Sequence, residues 1–446
     1  MKTETCEVSV TCELTIRGTF QNVKQLEEAV IEEVRRGACR FYGGVCKAYQ
    51  SQWLEHHSDR YQGVCWRKIK QVTPFGLVEI PNRVIRDREM ETGGYHSLAK
   101  MLWRGKATRL LSPSVEKKAI EASVGQNYRP AARGLSDWCA ASISHWSLWK
   151  CVQIYGKKLL EHQQRDWYVD KPLGRSASVV ITELDSTYVK HQRHGKHKNR
   201  PRHFPMHVGL HYTGRTRRSP RRGRRDVELT GKTFFVSAEE IGIFGRRLSK
   251  QRQRHYSGKP LSVMLSDGDE GIKRVREREF DESIWLLDRW HIAQKVRTFV
   301  ANDQEAYRKV MEGVYSCESE KVLEALRATS PELQKQKPRE FHDLFGYILS
   351  NREGIDAFKQ IPKTLRQSKG RQEAAVRAGS GAVEKNVEVH INRRFKRQGR
   401  SWNPVRADRL AQLKWLQHNP KNWTHWWNQV CLSTTKINPG WPSADN

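Results

Sequence analysis

"LSVMLSDGDEGIK", residues 261–273, decides how the chain is read. An apolar, strand-favouring run ends at Asp267, and Gly268, Asp269, Glu270 and Gly271 follow at once. Three carboxylates that close repel one another unless a cation or solvent separates them. A calcium loop would place a bidentate Glu at its twelfth position. Counting from Asp267, that position is Arg278, so the calcium reading fails. A buried strand that ends on Asp267 fits better. Asp269 and Glu270 then open the helix "EGIKRVRERE", where negative charge suits the N-terminal dipole.

The flanking segments extend this into a sheet. "SASVVITELDSTYVK" (176–190) reads as a buried strand ending in Asp185, and "HFPMHVGLHYTG" (203–214) and "GKTFFVS" (231–237) as the next two strands. "AEEIGIFGRRLSKQRQRHY" is a helix, and "SIWLLDRWHIAQKVRTFV" is a strand running into a helix. Three neighbouring strands followed by helix–strand alternation describe an α/β fold, a mixed sheet with helices on its faces. Residues 301–376 are helical in pattern and insert before a last helix within 377–418. Glu384 opens that helix after "GSG", beside an inward stripe of Val383, Val387, Ile391 and Phe395 at four-residue spacing.

Before the sheet, residues 1–110 form an α/β region and residues 111–165 a helical one. A strand over residues 1–20 leads to a helix that stops at Gly37, then to a second helix, and to a hairpin over 66–86 around "PFG". In 111–165, a helix begins at "SPSVE". A short helix, a turn near Gly134 and a longer helix capped by Ser142 or Ser144 give a helix-turn-helix outline. An ordinary three-helix packing unit fits nearly as well, and the surrounding charge favours DNA. Residues 419–446 read as a Trp-containing tail.

The chain has 446 residues, 80 Lys and Arg against 49 Asp and Glu, and a formal charge of +31. That excess points to a polyanion, with double-stranded DNA the natural partner. No apolar run is long enough to span a membrane. Nine cysteines without a CxxC pair suggest a reducing cytoplasm. Cys39, Cys46, His56, His57 and Cys65 match no standard zinc spacing, and no structural zinc is expected.

A lone Asp at a strand end commonly caps a turn. Two such ends in one sheet, with a distant glutamate, are what two-metal phosphoryl transfer requires. Mg²⁺ takes carboxylate oxygens, and Asp185 is the candidate shared ligand, with Asp267 and Glu384 completing the set. Arg393, Arg394, Lys396, Arg397 and Arg400 follow Glu384 and offer phosphate contacts, although a solvated charged helix would look the same. Lys196, Lys198 and Arg200 lie in a basic loop between two strands.

"ELDSTYVK", "LSDGDEGIK", "LLDRWHIAQKV" and "GSGAVEKNVEVHINRRFKRQGRSW" resemble, in order, blocks of the DDE transposases of bacterial insertion sequences, the Lre-type and Kra-type group in particular. The resemblance implies an RNase H-like core with a helical insertion and catalytic Asp185, Asp267 and Glu384. It further implies two Mg²⁺ (Mn²⁺ as substitute) and cleavage and strand transfer at terminal inverted repeats. "DRWH" matches an acidic–x–x–histidine signature and adds Asp288 and His291, which could orient substrate or lock strand to helix. A homo-oligomer on DNA, in the cytoplasm at the nucleoid, is also implied. The alternatives are an RNase H-like nuclease without strand transfer and a non-catalytic DNA-binding derivative.

Overall fold

The computed structural model describes residues 10–90, 94–103, 109–164, 174–193, 199–217, 227–367, 375–377, 379, 381–397, 400–418 and 420–432. The chain divides into two units, one of residues 1–155 and 416–446 and one of residues 156–415.

In the first unit, Asn22 accepts the Gln25 N–H at 3.0 Å and starts helix α1 (Val23–His56), which runs for 34 residues. The expected stop at Gly37 does not occur. A glycine inside a helix costs only about 1 kcal/mol, and here it admits a neighbour: a Cβ at Gly37 would stand 2.0 Å from Leu14 Cδ2. Residues 10–20 form no strand and instead lie against this helix, with Val10 over Gly44; residues 1–9 lie outside the described residues. The hairpin β1 (Tyr61–Thr73) and β2 (Gly76–Asp87) turns where "PFG" placed it. Short strands at Tyr95–Ser97 and Arg109–Leu111 complete a four-stranded sheet.

Helices α2 (Pro113–Gly125), α3 (Tyr128–Cys139) and α4 (His145–Gln164) follow. Gly134 lies inside α3, and the turn comes instead at Ala140, whose φ is 45°. Ser144 caps α4 by accepting the Ser147 N–H at 3.2 Å. The segment expected to be a tail begins with a helix, Pro420–Leu432, whose Trp423 stacks on Trp426 and donates to Glu121 at 3.0 Å.

The second unit is built on β3 (Val179–Lys190), β4 (His203–Tyr212), β5 (Thr233–Ser237), β6 (Leu261–Ser266) and β7 (Ile284–Leu287). They form a five-stranded mixed sheet in the order β5-β4-β3-β6-β7. β4 runs antiparallel to both β3 and β5, while β3, β6 and β7 are parallel. Val180, Val263 and Leu286 are fully buried, as strands covered on both faces require. Helices α5 (Ile241–His255), α6 (Glu270–Glu279) and α7 (Arg289–Val300) join or follow the parallel strands.

β3 does not end at Asp185. β6 covers it only as far as Glu183, but pairing with β4 carries it on to Lys190. Asp185 therefore sits just beyond the end of one neighbour and midway along the other.

The inserted helices α8 (Gln304–Ser316), α9 (Ser319–Arg327) and α10 (Pro338–Ser350) share one apolar core with β7 and α7: Leu287, Ile292 and Phe299 pack with Val310, Leu323 and Ile348. Helix α11 (Ala382–Val387) continues as a π-helix, Glu388–Lys396, with Val383, Val387, Ile391 and Phe395 all buried. In α12 (Pro404–Gln417), Asp408 accepts from Ser237 Oγ and the Ala238 N–H, pinning this helix to the end of β5. Among the described residues, no helix is long and apolar enough to cross a membrane.

Gly354 packs against the end of β7, where a Cβ would stand 2.9 Å from the Leu287 nitrogen, whereas Gly346 in α10 meets nothing within 4 Å. Gly354→Ala should destabilise the protein by about 1–3 kcal/mol in a urea melt. Gly346→Ala should be neutral or stabilise by up to about 1 kcal/mol. Equal effects would contradict this packing.

Candidate active site

The sheet register converges three aspartates. Leu265 pairs with Glu183 and Ser266 with Leu287. Carrying those registers forward sets Asp267 level with Asp185 on one side and with Asp288 on the other. The Asp288 N–H still donates to the Ser266 carbonyl at 2.8 Å, the last rung of the ladder. Asp267 and Asp288 thus follow the carboxyl ends of β6 and β7, where open α/β sheets carry their sites, level with Asp185 inside β3.

Asp185 accepts the Ser186 N–H at 2.6 Å. Burial pushes its carboxyl up to about 6, the charge on Asp267 adds to this and Glu384 adds a further increment, while the Ser186 N–H and His291 oppose the rise. A carboxylate raised by its own neighbours is one that a cation would relieve.

Asp267 is held by a tight loop. Gly268 has φ 81°, and a Cβ there would stand 2.6 Å from Asn351 Oδ1, so both conformation and space call for glycine. Asp267 Oδ1 accepts the Asp269 N–H at 3.0 Å, and the Tyr347 hydroxyl of α10 donates to the Asp267 carbonyl at 2.6 Å. Asp269 caps α6 through the Gly271 N–H at 2.8 Å, and Glu270 pairs with Lys273 at 2.9 Å. The two flanking carboxylates are therefore committed to the helix start.

Asp288 is 1% exposed and caps α7 through the Trp290 N–H at 2.9 Å. Its other oxygen lies 3.0 Å from His291 Nδ1. Burial pulls the imidazole down, but the hydrogen bond and charge of Asp288, with Asp267 and Asp185 behind it, leave His291 above its usual value.

Glu384 stands in the first turn of α11, after Gly381 at φ 54°. The helix start is fixed by Glu183: the Val383 N–H donates to Glu183 Oε2 at 2.8 Å, and the Tyr212 hydroxyl donates to Oε1 at 2.6 Å. Arg215 Nη2 donates to the Tyr212 oxygen at 2.8 Å. Glu183 is fully buried, and burial pushes it up to about 7. Sequence reading missed this trio, although a Glu inside the apolar run "VVITEL" was a signal.

One ligand atom from each of Asp288, His291 and Glu384 lies within 4.8 Å of the other two. Asp185 and Asp267 both act electrostatically on His291, and Glu384 acts on Asp185. Lys396 donates to the Thr187 hydroxyl, two residues along the same strand face from Asp185, and feels the Asp185 charge.

The other basic candidates differ in placement. Arg394 is buried, with its guanidinium 5.1 Å from the Trp402 ring centre, and Arg400 donates to its carbonyl. Arg393 and Arg397 are exposed and face Glu388 at 3.5 and 2.7 Å. Arg200 is half-buried near His191, and Lys196 and Lys198 lie outside the described residues.

With a folded value of about 6 against an ordinary 3.8, Asp185 binds its proton more tightly in the folded state. Its contribution to stability is therefore full below about pH 3.8 and is lost as pH rises through 6. Without metal, Asp185→Asn should stabilise the protein at pH 7.5, by up to about 3 kcal/mol. The gap should narrow as pH falls to 4.5, read from urea melts in chelator. Equal stability of both proteins at both pH values would contradict this electrostatic crowding.

Comparison with known proteins gives a family and two more distant likenesses. A protein of Streptococcus gallolyticus described as "UPF0236 protein in vanSb 3'region" is 22% identical over 325 residues. That alignment covers 70% of this chain and 65% of the relative, so the chain spans just under two thirds of that relative's length. Among solved structures, the Drosophila P element transposase strand transfer complex aligns at 10% identity over 73% of this chain and 96% of that one. Its TM-score is 0.35, too loose a superposition to assign a fold. The family described as "Uncharacterised protein family (UPF0236)" matches residues 20–425, and the chain belongs to that family.

Proposed function

We propose that the protein is a DDE-type DNA transposase: it binds the terminal inverted repeats of an insertion sequence, cleaves DNA strands and joins them to a target. The observation that carries this is the convergence of Asp185, Asp267 and Glu384. Each comes from a different block of the motif resemblance, and they meet at one end of the sheet. The five-stranded mixed sheet with helices inserted before α11 agrees with an RNase H-like core. The charge of +31 suits double-stranded DNA, and holding two element ends calls for more than one protomer. Such a protein works in the cytoplasm, at the nucleoid.

Asp185, which feels both Asp267 and Glu384, would be the shared ligand, and Asp267 and Glu384 would complete the set. Bound Mg²⁺ or Mn²⁺ would supply Lewis-acid stabilisation of the phosphoryl charge and lower the pKa of the attacking water or 3′-hydroxyl. The chain's own groups position the DNA. Lys396, held by Thr187 beside Asp185, places a positive charge for a phosphate oxygen. Arg393 and Arg397 extend that charge along the exposed face of the π-helix. Gly268 and Tyr347 keep Asp267 from moving as the substrate binds.

The test is DNA carrying the sequences that flank the gene, incubated with the protein and Mg²⁺. Cleavage at repeat ends and joined products are expected. Asp267→Ala should lower the cleavage rate by at least about 10²-fold while DNA binding stays within a few-fold. Cleavage without joining would favour the nuclease reading, and unchanged cleavage by Asp267→Ala would overturn the site assignment.

A further inference from the structure

We infer that Asp288, His291 and Glu384 form a mixed nitrogen–oxygen metal position that prefers Mn²⁺ to Mg²⁺. This rests on the metal-dependent reading of the site but goes beyond its three carboxylates.

Two donors about 2.1 Å from one ion lie roughly 3.0–4.2 Å apart. The three ligand atoms already sit within 4.8 Å of one another, so side-chain adjustments of at most about 0.6–1.8 Å bring the set into that range. The supports are rigid. Asp288 is fixed as both the last rung of β7 and the cap of α7, and His291 follows one helical turn later on α7. Glu384 is fixed from the opposite side by the Glu183 contact to the start of α11.

Electrostatics favours a cation there. Asp185, Asp267, Asp288 and Glu384 crowd one end of the sheet, and Lys396, held by Thr187, offsets only part of that charge. The donor set then selects the ion. Mg²⁺ takes oxygen ligands almost exclusively, whereas imidazole suits later first-row metals and carboxylate suits Mn²⁺. One imidazole with two carboxylates therefore weakens the position for Mg²⁺ more than for Mn²⁺. The competing explanation is that the Asp288–His291 contact at 3.0 Å only locks strand to helix. In that case no nitrogen reaches the metal.

The experiment uses the full chain without DNA, so its failure is separable from failure of the strand-transfer reading. Mn²⁺ is titrated and followed by electron paramagnetic resonance, with pulsed detection of nitrogen coupled to the bound ion. The expected result is a directly coupled nitrogen, Mn²⁺ binding at least about tenfold tighter than Mg²⁺, and loss of the nitrogen coupling in His291→Ala with about tenfold or more weaker Mn²⁺ binding. His291→Glu keeps a ligand and guards against misfolding: it should bind both ions without nitrogen coupling and with the Mn²⁺ preference reduced. Absence of nitrogen coupling in the unaltered protein, or coupling that persists in either folded variant, would overturn the proposal.

Discussion

The contact between the buried Glu183 carboxylate and the Val383 N–H holds the second unit's candidate site together. It joins β3, which carries Asp185, to the first turn of α11, which carries Glu384. A carboxylate at a helix N-terminus satisfies an otherwise unpaired amide and complements the helix dipole. Here it is fully buried and also accepts from Tyr212, while Arg215 stands 3.5 Å away. Removing one partner of such a buried arrangement typically costs about 3–5 kcal/mol, because the remaining polar groups stay buried and unmatched. The far end of the same element is tied down as well: the Trp402 N–H donates to the Lys190 carbonyl at 2.9 Å, and its ring N–H to Phe395 at 3.0 Å. The helix bearing Glu384 is thus attached to β3 at both ends.

The helical insertion serves the same purpose from the other side. Its core is continuous with β7 and α7, and Tyr347 reaches from α10 to the Asp267 loop. Asp267 and Asp288 therefore inherit the rigidity of the inserted helices, and Gly354 brings the chain back against the end of β7. A long insertion between Asp267 and Glu384 does not loosen the candidate site. It buttresses two of its corners.

Much of this was legible in the sequence because the signals were local and physical. Apolar runs gave the five strands, and the spacing of Val383, Val387, Ile391 and Phe395 gave a buried face that persists even where the helix widens into a π-helix. Asp269 capped its helix as its place after Asp267 and Gly268 suggested. What escaped depended on tertiary partners. The extent of β3 past Asp185 is set by β4, and the passage of α1 through Gly37 by Leu14. Gly134 looked like a turn but occupies an open helical position, while the turn fell at Ala140. The roles of Glu183, Tyr212 and Thr187 needed partners far apart in the chain. Arg394 resembled its basic neighbours in sequence, yet it is buried against Trp402.

The central claim is that Asp185 inside β3, Asp267 after β6 and Glu384 at the start of α11 share bound cations. Crystals soaked in Mn²⁺ and measured for anomalous scattering test it most directly. The account calls for two peaks about 3.5–4 Å apart, both in contact with Asp185, one reaching Asp267 and the other Glu384. No anomalous peak among these side chains, or Asp185 and Glu384 on separate ions with no shared ligand, would contradict it.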